Sequence, residues 1–92
     1  MPQVFKIGSY RVYFWSNEGV PLEPVHVHVS DGNPTENATK IWLTKNGKTL
    51  LCHNKSKIPG HVLNDICDVL ETQFFIITSK WQEYFHKISF YC

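Results

Sequence analysis

A chain of 92 residues, 42% hydrophobic and 14% aromatic, is long enough for one small domain with a single core and too apolar to be disordered. Its formal net charge of +1 excludes a protein that holds nucleic acid through a strong overall field. No apolar run approaches the roughly 18 residues that cross a bilayer, and the opening residues lack the apolar core of a signal peptide, so the expected address is the cytoplasm, with no membrane partner.

Val4-Phe5-Lys6-Ile7 and Tyr10-Arg11-Val12-Tyr13-Phe14-Trp15 read as two strands joined by Gly8-Ser9, because glycine at the first position suits a type II′ turn. Ser16 to Pro24, with its Asn, Gly and two Pro, is a loop that delivers the chain to a third strand over Val25–Ser30. Asp31-Gly32-Asn33-Pro34 is a turn, and two further strands, Ala38–Thr44 and Lys48–His53, flank Asn46-Gly47. That dipeptide is a strong hairpin signal, since both residues tolerate positive φ.

The period changes at Pro59. Val62, Leu63, Ile66, Cys67, Leu70, Phe74, Ile77, Trp81, Tyr84 and Phe85 recur at intervals of three and four, which predicts helix from about 59 to 86. Pro59 suits a first helical turn, with Ser56 a candidate cap, and the crowded Phe74-Phe75-Ile76-Ile77-Thr78 stretch is where a break into two abutting helices is expected. Trp81 and Phe85 read as core anchors. The fold class is α+β: an antiparallel sheet of four to five strands, its N-terminal hairpin first, with helix covering one face and the other face or the edges left for a partner.

Cys52, Cys67 and Cys92 are odd in number and form no CxxC pair, so neither a disulfide framework nor a cysteine zinc site is indicated; they are expected reduced, two of them buried. Alternation would put Cys52 and His53 on opposite faces of their strand, which disfavours a thiol and imidazole pair. Asn37-Ala38-Thr39 matches a glycosylation acceptor but carries no weight without a secretory signal. Charge is unevenly placed. Between Asn37 and Asn64 there is no acidic residue, but there are Lys40, Lys45, Lys48, Lys55 and Lys57 with His53 and His61. These either solubilise an exposed hairpin or face phosphate or a partner.

The chemistry-bearing feature is His26-Val27-His28. Side chains two apart in a strand share a face, so both imidazoles point one way while Val25, Val27 and Val29 point the other. Imidazole titrates near neutral pH and serves as acid, base or metal ligand. Glu18 lies on the preceding loop, and Lys40 is expected on the histidine face. A half-exposed strand that merely tolerates two histidines is the plainer alternative.

Tyr13-Phe14-Trp15-Ser16-Asn17-Glu18-Gly19, Pro24-Val25-His26-Val27-His28-Val29, Ala38-Thr39-Lys40-Ile41-Trp42-Leu43 and Trp81-Gln82-Glu83-Tyr84-Phe85 together resemble a small prokaryotic family long filed as a domain of unknown function and since described as DhiT-type toxins. The likeness spans nearly the whole chain. The aromatic strand with Asn-Glu and the His-Val-His strand are its most specific elements. Where the family shows two prolines before the first histidine, the second is Val25 here, which leaves a strand start intact. The resemblance implies the toxin of a type II toxin-antitoxin pair, silenced by a small cognate antitoxin.

Three functions follow. In the first, the toxin acts on RNA or the translation machinery, with Glu18, His26 and His28 as the catalytic set and Arg11 and Lys40 holding substrate phosphate. Cleavage through the ribose 2′-hydroxyl needs a base, an acid and a cation, and calls for no cofactor or metal. In the second, two imidazoles and the Glu18 carboxylate hold a metal, for which a further ligand such as His53 or His61 has no evident route. In the third, the chain is a non-enzymatic module whose exposed strand edges and aromatic surface pair with a partner by strand addition or by helix docking; a homodimer is a further candidate assembly.

Overall fold

A computed structural model describes residues 3–16 and 21–92. Five strands, β1 (Gln3–Ile7), β2 (Tyr10–Tyr13), β3 (His26–Asp31), β4 (Thr39–Leu43) and β5 (Thr49–His53), form one sheet in chain order with every neighbour antiparallel. Gly8 at φ +60° turns β1 into β2, with Ile7 opposite Tyr10; a positive φ costs glycine nothing because it has no Cβ.

The Asn-Gly hairpin differs from its expected form. Leu43 pairs with Thr49, the Thr44 amide bonds the Lys48 carbonyl at 2.9 Å, and the Gly47 amide closes on the Thr44 carbonyl at 3.1 Å. The loop is therefore Lys45-Asn46-Gly47, and only Gly47, at φ +80°, is left-handed there. This is the three-residue loop that follows a type I turn with glycine. Farther along the ladder the register shifts: Ile41 faces Leu51, but Lys40 faces His53, so Cys52 is an extra residue in β5. Such a bulge kinks the strand and re-aims its neighbours.

Helices α1 (Gly60–Thr72) and α2 (Phe74–Phe85) cover one face. The break falls at Gln73, one residue before the crowded stretch, and the Gln73 amide still reaches the Val69 carbonyl at 2.9 Å. The helical stripe packs as expected: Ile66, Leu70, Ile77 and Trp81 are buried and join Val12, Phe14, Val25, Val27, Val29, Ile41 and Leu43 in the core, with Phe85 packed against it. Tyr84, at the margin of the stripe, is exposed. Ser56 does not cap α1. Pro59 takes the cap position without a side-chain bond, and the Ser56 hydroxyl instead accepts from the Thr39 amide at 2.8 Å and donates to the Val29 carbonyl at 3.2 Å. It thereby bridges two backbone groups at the end of the β3 and β4 ladder, where an unpaired buried amide would be costly.

After α2, His86 turns left-handed at φ 61°, and the tail returns along the end of the sheet. The Ser89 carbonyl accepts from the Val25 amide at 2.8 Å and the Cys92 carbonyl from the Lys45 amide at 3.0 Å. Ile88 and Phe90 pack on the core, while Tyr91 stacks on Trp42 with centroids 4.8 Å apart. No cysteine is buried: Cys52 and Cys92 are exposed and Cys67 is intermediate. The expected burial fails because Cys52 lies on the edge strand and Cys92 on the returning tail. Among the described residues no helix is long and apolar enough to cross a membrane.

Neighbouring side chains on α2 separate packing from propensity. Ile77→Ala should lower unfolding free energy in urea by about 2–5 kcal/mol, whereas Phe75→Ala, on a side chain 79% exposed, should change it by less than about 0.5 kcal/mol. Equal losses would show that Phe75 is covered in solution.

Candidate functional site

The face of the sheet opposite the helices carries the site. Antiparallel register places Tyr13 opposite His28, His28 opposite Lys40, and Lys40 opposite His53. One row thus crosses β2, β3, β4 and β5. The adjacent row pairs His26 with Trp42, and the row on the other side pairs Arg11 with Ser30. The alternation read from the sequence holds: Val25, Val27 and Val29 are fully buried against the helices while the two histidines share the opposite face.

This face is not bare. Tyr13, His26, Ser30 and Trp42 are buried. The segment before β4 folds over Tyr13, whose hydroxyl donates to the Thr35 carbonyl and accepts from the Thr35 amide, both at 3.3 Å. The tail brings Tyr91 onto Trp42. The expectation of an open second face is corrected accordingly: an irregular second layer covers it and leaves only parts of the histidine row accessible.

His26 is fully buried, walled by Trp42 at 5.3 Å and by Trp81 at 5.2 Å between ring centroids. Its Nδ1 lies 2.8 Å from the Pro24 carbonyl. A carbonyl only accepts, so Nδ1 carries a proton. His28 is partly exposed. Its ring lies 5.0 Å from that of His26 at 89°, stacks on Tyr13 at 5.7 Å, and has Trp15 at 6.3 Å. Aromatic rings thus fix the orientation of both imidazoles.

Lys40 lies on the histidine face as expected. Its ammonium donates to Glu23 Oε1 at 2.8 Å and sits 4.4 Å from the Trp42 ring centroid. Arg11 shares the face but is one register step away, diagonal to His28 through the Arg11 and Ser30 pair, a separation that only a long side chain spans. Glu18 lies outside the described residues. The basic middle of the chain divides: Lys40 belongs to this face, whereas Lys48 approaches Glu71 of α1 at 4.0 Å.

His53 is the residue that sequence reasoning left unplaced. The β5 bulge sets it opposite Lys40. Burial lowers its pKa from 6.5, and the charges of Lys55, Lys40 and His28 lower it further, so its neutral form is favoured. Its Nδ1 is buried without a hydrogen-bond partner among the described residues. Only the bulge in β5 brings it there, since strict alternation sets Cys52 opposite Lys40.

Among the described residues no three His, Cys, Asp or Glu side chains group closely enough to hold a metal. A pocket of about 200 Å³ lies elsewhere, lined by Gln3, Phe14, Lys80, Glu83 and Tyr84, with no histidine in its wall. The polar row therefore outweighs the concavity as a candidate site, because among the described residues it is the row that lines up imidazoles with a lysine across neighbouring strands.

The model of a family described as a domain of unknown function (DUF4160) matches residues 9–82. The chain belongs to that family. The match runs from the first turn through β2, the histidine strand and both helices as far as Gln82. No curated protein and no solved structure matches the chain.

The lowered pKa of His53 has a consequence for stability. The unfolded chain binds a proton at 6.5 that the folded chain resists, so stability conferred by the neutral ring is complete above pH 6.5 and is lost as pH falls toward the folded value. Urea midpoints at pH 7.5 and 5.5 should drop more for the native chain than for His53→Gln. Identical drops would show that His53 titrates normally.

Proposed function

We propose that the protein is the toxin of a type II toxin-antitoxin pair and that it cleaves RNA on the histidine face. The observation that carries this reading is the perpendicular His26 and His28 pair at 5.0 Å with Lys40 directly across from His28. Two imidazoles beside a cation are the parts that metal-independent cleavage at a ribose 2′-hydroxyl requires.

In this reading a base removes the 2′-hydroxyl proton, the oxygen attacks the adjacent phosphorus, and an acid protonates the departing 5′-oxygen. The products are a 2′,3′-cyclic phosphate and a free 5′-hydroxyl. His28, the partly exposed imidazole, meets the substrate. His26, buried behind it with its tautomer set by the Pro24 carbonyl, supports that ring and passes or receives its proton. Glu18 supplies the carboxylate that orients an imidazole or takes the proton. Lys40 and Arg11 stabilise the charge that builds on the phosphorane oxygens.

A binding module is the second reading, favoured by one observation. β5 is an edge strand whose Leu50 and Leu51 are more than two-fifths exposed, a surface on which an antitoxin segment can add a strand.

Induction of the native chain in bacteria should arrest growth and produce RNA fragments ending in 2′,3′-cyclic phosphate. His28→Ala, shown to be folded and equally abundant, should relieve arrest and slow cleavage of purified RNA by about 10²–10⁴-fold. Arrest by both proteins, with intact RNA, would move the function from the histidines to the strand edge.

A further inference from the structure

We infer that His28, Lys40 and His53 together form the site that receives the phosphodiester of an RNA substrate, with His53 as a substrate-contacting residue. The inference rests on the proposed RNA-cleaving function, and it adds the recognised group and a third imidazole.

The register supplies the geometry. His28, Lys40 and His53 face one another across three strands, so their side chains emerge in a line at successive strand spacings of about 4.8 Å. An RNA backbone offers a non-bridging oxygen on either side of each phosphorus, a shape suited to donors that flank a central cation. The bulge at Cys52 is what completes the line. Counting back from the Leu43 and Thr49 pair, strict alternation would set Cys52 opposite Lys40; the extra residue puts His53 there instead.

Charge points the same way. The groups that act on His53 are Lys55 from the connector beyond β5, Lys40 from β4 and His28 from β3, all cationic when protonated. No carboxylate is among them. The Nδ1 of that imidazole is buried without a hydrogen-bond partner among the described residues, and a phosphate brought into the row would offset the repulsion from all three cations, though not the cost of burial. Among the described residues, the carboxylate that meets the row is Glu23, which sits on Lys40 at 2.8 Å while its side chain remains 43% exposed. A part-exposed carboxylate is a replaceable occupant, and an entering phosphodiester would compete with it.

The test uses the whole chain and a 2′-O-methyl RNA oligonucleotide, which keeps its phosphodiesters but lacks the nucleophile, so binding is read without cleavage. The His53 imidazole titration, followed by NMR, should move upward by about one pH unit on saturation, which corresponds to about tenfold tighter binding of the protonated form. His53→Gln and Lys40→Met should each weaken the oligonucleotide about tenfold, Glu23→Gln should tighten it several-fold, and Lys48→Met on the helix side should leave it unchanged. An unmoved His53 titration, native affinity in His53→Gln, or no binding at all would overturn the site. Binding through His53 with unmodified RNA left uncut would instead retain the site and refute the ribonuclease reading; cleavage with His53 silent would do the reverse.

Discussion

Burial of β3 on both faces is the constraint on which the rest depends. It is the central strand, and Val25, Val27 and Val29 are each fully enclosed by the helical layer. Each valine contributes roughly 1.5–3 kcal/mol by leaving water. A slip of one residue would expel all three and drive two imidazoles into an apolar core, so the register is pinned far more strongly than any polar contact could pin it. The histidines point where they do because the valines cannot point elsewhere. Through the pairings of β3 with β2 and β4, the same constraint sets Tyr13 and Lys40 beside His28.

A strand buried on one face alone would leave the histidines in water. Here the returning tail and the Thr35 segment close over the second face, and the Trp81 ring of α2 lies 5.2 Å from that of His26. Removal of water around His26 raises the effective strength of every nearby charge and dipole, while His28 at the margin stays accessible. Lys40 gains little stability from its surroundings: its ion pair with a 43% exposed Glu23 is screened by solvent, and its contact with the Trp42 ring adds about 0.5–1 kcal/mol. Those contacts set where the ammonium sits more than how tightly the fold holds.

Both hairpins, the two-faced histidine strand, the helical stripe and a break near Phe74 were legible because each is a local pattern of short period. So was the placement of Lys40, which follows from counting along one strand. The covering of the second face was not legible. Residues 86–92 carry no periodicity, and their carbonyls bond Val25 and Lys45 through contacts that span most of the chain. Ser56 misled for a related reason: Ser before Pro59 reads as a cap, but the Thr39 amide and the Val29 carbonyl, remote in sequence, compete for the same hydroxyl. His53 was hidden by the bulge, since a single inserted residue reverses the parity on which any reading of a strand relies.

On the proposed reading, the modest net charge limits what kind of RNA contact this surface would make. Affinity for a polyanion follows from the number of phosphates neutralised, and it falls with salt in proportion to that number. The lysines of the basic middle are not gathered into one field, since Lys48 is turned toward Glu71 and Lys40 is engaged by Glu23. A row of His28, Lys40 and His53, with Lys55 nearby, suffices for one phosphate or two. On the proposed reading such a surface would bind RNA weakly and with a shallow salt dependence, in contrast to a protein that coats nucleic acid. Weak ground-state binding is compatible with cleavage, because only interactions that strengthen as charge develops on the phosphorane accelerate the reaction. On the proposed reading, a His53 imidazole whose neutral form is favoured in the free protein would be a group of that kind if it held its proton more tightly beside the phosphorane than beside the bound phosphodiester.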